Sequence, residues 1–342
     1  MSYIELHARS AFSFLEGASL PETLITAAAK LGMPAMALLD RHGFYGAPRF
    51  HMAAKQAKIK AHVGAEITVG GKENHPSANY PLLVATRTGY RNLCRLITTA
   101  KLRTPKTSVA TATLAELQSH AEGLICLTGD ETGPLAHALT QGGIPAARQF
   151  LSQLTEIFGR ENVYVELQRH ADRSQEARNQ AAISLARERH LPLLATNGVC
   201  YANPAERQIT DVFTCLKNKV RLDTAGRLLA RNSERYLRSA EEMSHLFADL
   251  PEAIVNTTEL SSRLEFTLEK LGYEFPRYPV PEGETMDSFL HKRVWDGARC
   301  RYRPVSSRVR AQLEKELALI ERLKLSGYFL IVWDLEIGRA HV

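Results

Sequence analysis

The sequence predicts an α/β fold, in which a barrel of about seven βα units is followed by a mostly helical segment. Short apolar runs alternate with helical patterns up to about residue 202, and this alternation is typical of repeated strand and helix units. Most of these runs are apolar throughout, as expected for strands that are covered on both faces. Beyond residue 203 the strand patterns stop and only helical patterns continue.

The predicted strands of the barrel occupy residues 3–7, 34–40, 61–69, 81–86, 123–129, 162–168 and 192–197. Helical patterns such as those over 20–32 and 173–190 lie between them. Ser19 is the candidate N-cap of the first helix, because Pro21 follows in what would be its first turn. The order of strand, helix and strand predicts that the carboxyl ends of the strands open on one face.

The second part of the chain is predicted to be helical over residues 239–247, 250–264 and 307–325. Residues 272–284 hold three prolines and two glycines, which favour an extended connection between helices. We therefore expect a barrel domain over 1–202 and a helical segment over 203–335.

Composition restricts the class of protein. The chain has 342 residues, of which 44% are hydrophobic and 23% charged, as in ordinary globular proteins. It has neither the apolar run of a membrane span nor the pattern of a signal peptide, and its five cysteines form no CxxC pair, so we expect a cytoplasmic protein with no membrane partner. The formal net charge of +6 is compatible with a phosphate-rich partner. The GxxxxGK[ST], GxSxG and HExxH motifs do not occur.

Four polar residues fall at or near predicted strand ends and could form a metal site. His7 ends the first strand, Asp40 ends the second, Glu66 lies within the third, and His170 follows the sixth. Imidazoles and carboxylates are ligands that suit zinc or manganese. Asp40 has an equally good explanation as a helix cap or turn residue, so it is the joint placement of the four that favours a site.

Five sequence blocks then point to a known family. Residues 5–19, 38–46, 63–69, 164–170 and 195–201 resemble, in the right order, the polymerase-and-histidinol-phosphatase (PHP) domain that opens C-family DNA polymerases. The resemblance continues through 211–243 and 273–281 to 326–335. Residues 12–19 (FSFLEGAS) and 225–239 (AGRLLARNSERYLRS) are most similar to the error-prone, damage-associated branch. The resemblance thus implies a PHP-type distorted barrel of seven βα units.

The resemblance also implies a function. It implies the N-terminal portion of an error-prone DNA polymerase, a nucleotidyltransferase that acts in DNA replication and translesion repair synthesis and uses Mg²⁺. The implied substrates are a DNA template-primer and dNTPs, and the implied partners are a sliding clamp and translesion accessory proteins. The family places its catalytic aspartates in a palm domain beyond 327–335 (GYFLIVWDL), so we expect no catalytic residue in this chain. We expect residues 336–342 (EIGRAHV) to be an artefactual tail.

The metal site that the resemblance implies is only partly kept. His7, Asp40, Glu66 and His170 match the implied ligands. Other positions depart from the family pattern, and the residues that replace expected ligands are Arg9, Arg41, Lys101, Gly198 and Cys200. Charged arginine and lysine place fixed positive charge in the site and offer no lone pair to a metal. We therefore favour salt bridges between these cations and the remaining carboxylates over bound Zn²⁺ or Mn²⁺, with a structural role for the barrel.

Three functions remain open at this point. The first is an error-prone polymerase whose barrel is a platform for its catalytic domains and template DNA. The second is a metal-dependent PHP phosphoesterase or 3′–5′ exonuclease that uses metal-activated water, for which a single zinc held by Cys200, His7 and His170 would be an unusual ligand set. The third is an interaction module, which predicts an exposed apolar patch.

Overall fold

The computed structural model describes residues 2–70, 77–105, 108–271 and 277–340. The chain divides into two compact units, Met1–Glu269 and Lys270–Val342. The predicted domain boundary after residue 202 therefore falls inside the first unit. Part of the predicted connection over 272–284 lies outside the described residues, and residues 277–284 have no regular secondary structure apart from a turn.

The first unit is built around a sheet whose strands match most of the predicted ones. The described strands are β1 (Ala35–Arg41), β2 (Lys60–Val69), β3 (Ala78–Val84), β4 (Thr111–Ala112), β5 (Leu124–Leu127), β6 (Val163–Leu167) and β7 (Leu193–Ala195). The prediction misses β4, which has only two residues. Residues 3–7 form no continuous strand, although they run alongside the sheet. The α/β class is confirmed.

The sheet is mixed, whereas the repeated βα pattern predicts parallel neighbours. Its order is β1-β2-β3-β5-β6-β7, with β4 paired to β2. β3 runs antiparallel to both β2 and β5, and the other pairs are parallel. The connection between β2 and β3 spans only residues 70–77, which is shorter than the dozen or so residues that a parallel crossover needs. The length of this connection therefore favours the antiparallel pairing of β2 with β3.

The N-terminal segment joins the two ends of the sheet, because it lies between β1 and the residues that follow β7. The amide of Arg9 donates to Val199 O, the amide of Val199 donates to His7 O, and the amide of Leu39 donates to Ala8 O. Ala8 thereby forms isolated parallel bridges to Leu38 of β1 and to Val199 beyond β7. Residues 5–9 lie between the two outer strands, and this places them at the centre of the polar site described below.

Helices cover the sheet. Those of the first unit are α1 (Pro21–Lys30), α2 (Ala47–Ala57), α3 (Arg87–Arg103), α4 (Leu114–Ser119), α5 (Pro134–Phe158), α6 (Arg173–Arg189), α7 (Arg207–Asn218), α8 (Ala240–Leu246) and α9 (Pro251–Arg263). The predicted cap of α1 is wrong. Leu20 is the N-cap and its apolar side chain makes no cap hydrogen bond, while the Ser19 hydroxyl bonds the Glu206 carboxylate and the Ala202 amide.

Residues beyond 202 contribute to the core of the first unit. Leu260 of α9 and Leu264, the C-cap that follows it, belong to the same buried cluster as Leu6, Leu39 and Tyr164. The His62 ring lies 2.7 Å from the Ser261 hydroxyl, and the amide of Ile4 donates to Thr257 Oγ1 at 3.2 Å. α9 therefore covers apolar surface that the sheet would otherwise expose.

The second unit contains α10 (Met286–Arg301), α11 (Ser307–Arg322) and α12 (Ser326–Ala340). Its hydrophobic core cluster contains Leu290, Leu317 and Leu330, one from each helix. α12 continues to Ala340, so most of the predicted tail over 336–342 is helical, while residues 341–342 lie outside the described residues. In the part of the chain that the structure describes, no helix is both long and apolar enough to span a membrane.

Candidate functional site

His7 lies at the centre of a buried cluster of charges. Its Nε2 atom is 2.8 Å from Glu66 Oε1, and its Nδ1 atom is 2.6 Å from Glu166 Oε1. Burial alone would lower the pKa of His7, but the carboxylates of Glu166 and Glu66 outweigh it and raise this pKa to about 10. The ring is therefore a cation near neutral pH, and both of its nitrogens donate hydrogen bonds.

The carboxylate of Glu66 forms ion pairs with three cations. Arg9 donates from Nε to Glu66 Oε2 and from Nη2 to Oε1, both at 2.7 Å, which is the bidentate geometry that suits a guanidinium. Arg41 Nε lies 3.0 Å from Glu66 Oε2, and His7 is the third cation. Burial opposes ionisation, yet Arg9, Arg41 and His7 hold the pKa of Glu66 well below its ordinary value.

Two further carboxylates and one arginine extend the cluster. Arg9 Nη2 lies 3.0 Å from Asp130 Oδ2, and Arg235 approaches Asp130 at 3.5 Å and Glu131 at 2.6 Å. The pKa of Asp130 is lowered because Arg9 and Arg235 outweigh the effect of burial. Every buried charge at this site thus has an opposite charge within hydrogen-bonding range or just beyond it, as buried charges require.

Sequence reasoning missed Asp130, Glu166 and Arg235. A signal existed for the first two, because Asp130 directly follows the predicted strand 123–129 and Glu166 lies within 162–168. No comparable signal marks Arg235, which reaches the site from the helical part of the chain.

Asp40 does not join this cluster. Its carboxylate accepts hydrogen bonds from the Ser10 amide at 2.8 Å, the Ser10 hydroxyl at 2.9 Å, the Ser13 hydroxyl at 2.8 Å and the Gly46 amide at 3.1 Å. These bonds tie the loop after residue 9 to the turn that precedes α2. Asp40 therefore acts as a turn residue, which is the alternative that its sequence position left open.

His170 is also separate from the charged centre. Its Nε2 donates to Asn197 O at 2.9 Å, and its Nδ1 accepts from Gln175 Nε2 at 3.0 Å. Burial, together with the charge of Arg235, lowers the pKa of His170 to about 3. The ring is neutral and both of its nitrogens make hydrogen bonds, so it links two loops and is not part of the His7 cluster.

The other positions that depart from the family pattern have local explanations. Lys101 bonds the Tyr45 hydroxyl and lies 4.5 Å from the centre of that ring. Gly198 has φ +52°, and a Cβ there would lie 2.6 Å from the Gln168 side chain, so this backbone conformation excludes a larger residue. Cys200 is buried, with its Sγ 3.9 Å from Arg9 Nη1.

The cluster does not fit a divalent cation. Both oxygens of Glu66 already bind guanidinium or imidazolium groups, and a doubly protonated His7 has no lone pair to offer. Asp40 and His170, the other two implied ligands, are saturated by hydrogen bonds elsewhere. Among the described residues, no group of three or more histidine, cysteine, aspartate or glutamate side chains has the geometry to hold a metal ion.

Comparison with known proteins agrees with this architecture. Residues 5–170 match the family model of the PHP domain, and residues 288–340 match that of the bacterial DNA polymerase III alpha NTPase domain. The PHP-domain match thus lies within the first unit. A structure from Bifidobacterium adolescentis, described as a metal-dependent phosphoesterase, has 13% identity and a TM-score of 0.37 and covers 58% of this chain and 87% of its own.

Curated relatives define the family more closely. The error-prone DNA polymerase of Mycobacterium bovis is 38% identical over 98% of this chain and 31% of its own length. The DNA polymerase III subunit alpha of Treponema pallidum is 32% identical over 98% of this chain and 29% of its own length. The chain belongs to the family of bacterial error-prone DNA polymerases and DNA polymerase III alpha subunits. It spans about a third of the length of these relatives.

Proposed function

We propose that this chain forms the N-terminal part of an error-prone DNA polymerase, with residues 1–202 as its PHP domain and 203–335 leading toward the polymerase domains. The buried Arg9–Glu66 pair carries the proposal for the barrel. It supports a structural role, because the arginine supplies the positive charge that the carboxylates of a PHP site otherwise take from metal ions.

Nucleotidyl transfer, in this proposal, belongs to the whole polymerase. Its substrates are a template-primer and dNTPs, and Mg²⁺ serves the transfer step by stabilising the attacking and leaving oxygens. Its role is translesion repair synthesis in the cytoplasm, together with a sliding clamp and accessory proteins. The relatives' names and the match over nearly the whole chain support this assignment.

A chimera tests the polymerase assignment. This chain would replace the aligned third of the Mycobacterium tuberculosis error-prone DNA polymerase, to which it is also 38% identical. We expect the folded chimera to extend a primed template. A chimera that is monodisperse and has native-like circular dichroism, but does not extend the primer while the parent enzyme does, would contradict the assignment.

The metal-dependent phosphoesterase and the 3′–5′ exonuclease are less well supported, because the implied ligands are occupied by cations or hydrogen bonds. The 342-residue chain would be incubated with Zn²⁺, Mn²⁺ or Mg²⁺, and its metal content and hydrolysis of bis(p-nitrophenyl) phosphate would be measured. We expect no bound metal and no hydrolysis. Hydrolysis that disappears in a His7→Ala variant would favour the phosphoesterase over the structural role.

A further inference from the structure

The first unit exposes a group of large apolar side chains on α7 and the turns that follow it. Leu216 of α7 is 61% exposed, and Phe14, in the loop before α1, is 82% exposed. We refer to the group as the α7 patch, and its members are Phe14, Ile209, Val212, Leu216, Leu222 and Leu228, each at least 41% exposed. None of them takes part in the charged site.

The α7 patch is organised by the helix. Ile209, Val212 and Leu216 are spaced three and four residues apart, so they form one stripe along α7. The helix is anchored beside the stripe, since Cys215, next to Leu216 in the chain, is buried. Lys217 at the end of the stripe bonds Glu16 at 2.8 Å, which brings the loop that carries Phe14 to the same end of the helix. An exposed apolar stripe of this kind marks an interaction site more often than scattered exposed residues do.

The surroundings of the stripe are basic. Residues 207–231 contain six arginines and lysines and only two acidic residues. Both acidic residues already have partners, as Asp211 lies 3.4 Å from Arg207 and Asp223 lies 3.5 Å from Arg221. Within the described part of the chain, neither Lys219 nor Arg227 has an ion-pair partner. The surface therefore combines an apolar stripe with positive charge that its own acidic residues leave uncompensated.

Charge decides between the occupants that such a surface could bind. A second copy in a two-fold dimer would set the patch against itself, and like charges would then oppose each other. Single-stranded nucleic acid binds through aromatic side chains on which bases stack, whereas five of the six patch residues are aliphatic. A protein segment with apolar residues on one face and carboxylates beside them satisfies both features at once.

We propose that the α7 patch docks an acidic amphipathic helix of a partner protein. The apolar face of that helix covers the stripe from Ile209 to Leu216 and meets Phe14 at one end. Its carboxylates pair with Lys219 and Arg227 at the rim. This inference concerns a binding surface outside the barrel centre and does not depend on polymerase activity.

A designed peptide pair tests the proposal with the whole 342-residue chain. One fluorescein-labelled helical peptide carries leucines on one face and glutamates on the rest, and its twin carries lysines in place of the glutamates. Fluorescence anisotropy at physiological salt measures binding. We expect the acidic peptide to bind and the basic twin to bind at least about tenfold more weakly, because its charges repel the rim.

Variants locate the binding surface. Leu216→Ser and the pair Lys219→Glu with Arg227→Glu should each weaken binding of the acidic peptide by about tenfold. Leu102→Ser changes a leucine on α3 that is 84% exposed, and Lys30→Glu reverses a charge on α1, so these two should leave binding unchanged. All changed side chains are exposed, and circular dichroism checks that each variant is folded.

Several outcomes would overturn the proposal. They are no binding of the acidic peptide, equal binding of the two peptides, or binding that is insensitive to Leu216→Ser. Two further assays use the same variants. If Leu216→Ser abolishes a dimer seen by sedimentation velocity, the patch is a self-association surface. If it abolishes binding to oligo(dT) or to anionic lipid vesicles, the patch serves that ligand instead.

Discussion

Glu66 is the residue on whose carboxylate the charged cluster depends. Removing its charge leaves Arg9, Arg41 and His7 with only Asp130, Glu16 and Glu166 as their respective partners, and buried positive charge that is only partly compensated is costly. We expect Glu66→Gln to lower the free energy of unfolding by about 3–5 kcal/mol. Urea denaturation followed by circular dichroism measures this difference.

A matched control for this change is Glu188→Gln, which breaks the solvent-exposed pair between Arg148 and Glu188. Exposed pairs contribute little to stability, so this variant should remain near the stability of the parent. If Glu66→Gln were no more destabilising than Glu188→Gln, the structural role of the cluster would be wrong.

His7 makes the stability of the folded protein depend on pH in the alkaline range. Its pKa in the folded protein is about 10, compared with an ordinary value of 6.5, so the folded state binds the proton more tightly. The stabilisation is fully present below pH 6.5 and is lost as the pH rises through 10. Burial raises the pKa of Glu5 to about 7 and also raises the pKa of the Cys94 and Cys126 thiols above their ordinary value, so comparison with a His7 variant is needed to separate the contribution of His7.

We therefore expect the free energy of unfolding to fall by a few kcal/mol between about pH 7 and pH 10. His7→Gln should be less stable at pH 7 and should show a flatter dependence over that range. His245→Gln, at an exposed position on α8, serves as control and should keep the slope of the parent. A parent chain whose stability is constant over this range would contradict the assignment of His7 as a buried cation.

Residue types alone indicated part of this site. His7 and Glu66 were predicted to converge, because both lie on strands of one barrel, and the structure places them 2.8 Å apart. The replacement of expected ligands by Arg9 and Arg41 also predicted salt bridges. The contacts of Asp40 and His170 could not be read from the sequence, since they depend on loops whose conformations are set by tertiary packing.

At the level of elements, β2 and β3 approach each other closely at Gly64. A Cβ at this position would lie 2.2 Å from the carbonyl oxygen of Leu82, and the backbone of a paired strand cannot move aside cheaply. We expect Gly64→Ala to destabilise the first unit by a few kcal/mol, as a strained core substitution does. Thermal unfolding measured by circular dichroism gives the shift.

Gly297→Ala is the matched control for the added methyl group. Gly297 lies within α10 and has open space where a Cβ would point, so alanine should be neutral or stabilise the helix by up to about 1 kcal/mol. An equal response of the two variants would show that the close approach at Gly64 has no energetic consequence.

The positions of the strands along the chain were predicted better than the directions in which they run in the sheet. Apolar runs located six of the seven described strands, but the reversed direction of β3 follows from the short connection at 70–77, which the repeated pattern did not register. The exposed stripe on α7 could not be predicted from the sequence either. Ile209, Val212 and Leu216 look like core residues in sequence, and only the packing of the other elements shows that they face solvent.

For the whole molecule, the extent of the first unit has a measurable consequence. Because Leu260 of α9 and the following Leu264 are part of the buried core, a segment of residues 1–269 should fold by itself and unfold cooperatively. A segment of residues 1–202 should not, since it lacks α9 and exposes the apolar surface that α9 covers. Urea denaturation of both segments checks this prediction.

The proposed boundary at residue 202 is judged by the same experiment. If residues 1–202 unfolded as cooperatively as residues 1–269, the helices after residue 202 would be accessory to the barrel, and the contacts of Ser261 and Thr257 with it would contribute little stability. Failure of both segments would indicate that the second unit is also needed for folding.

In the proposed structural role, the guanidinium of Arg9 makes the fold of the barrel independent of bound metal ions. A fold held together by bound zinc or manganese weakens when a cell is starved of those ions or when a host sequesters them. Here the positive charge is covalently part of the chain and is delivered at translation. Chelators should therefore leave the melting temperature of the first unit unchanged, and the barrel should remain intact under conditions of metal scarcity.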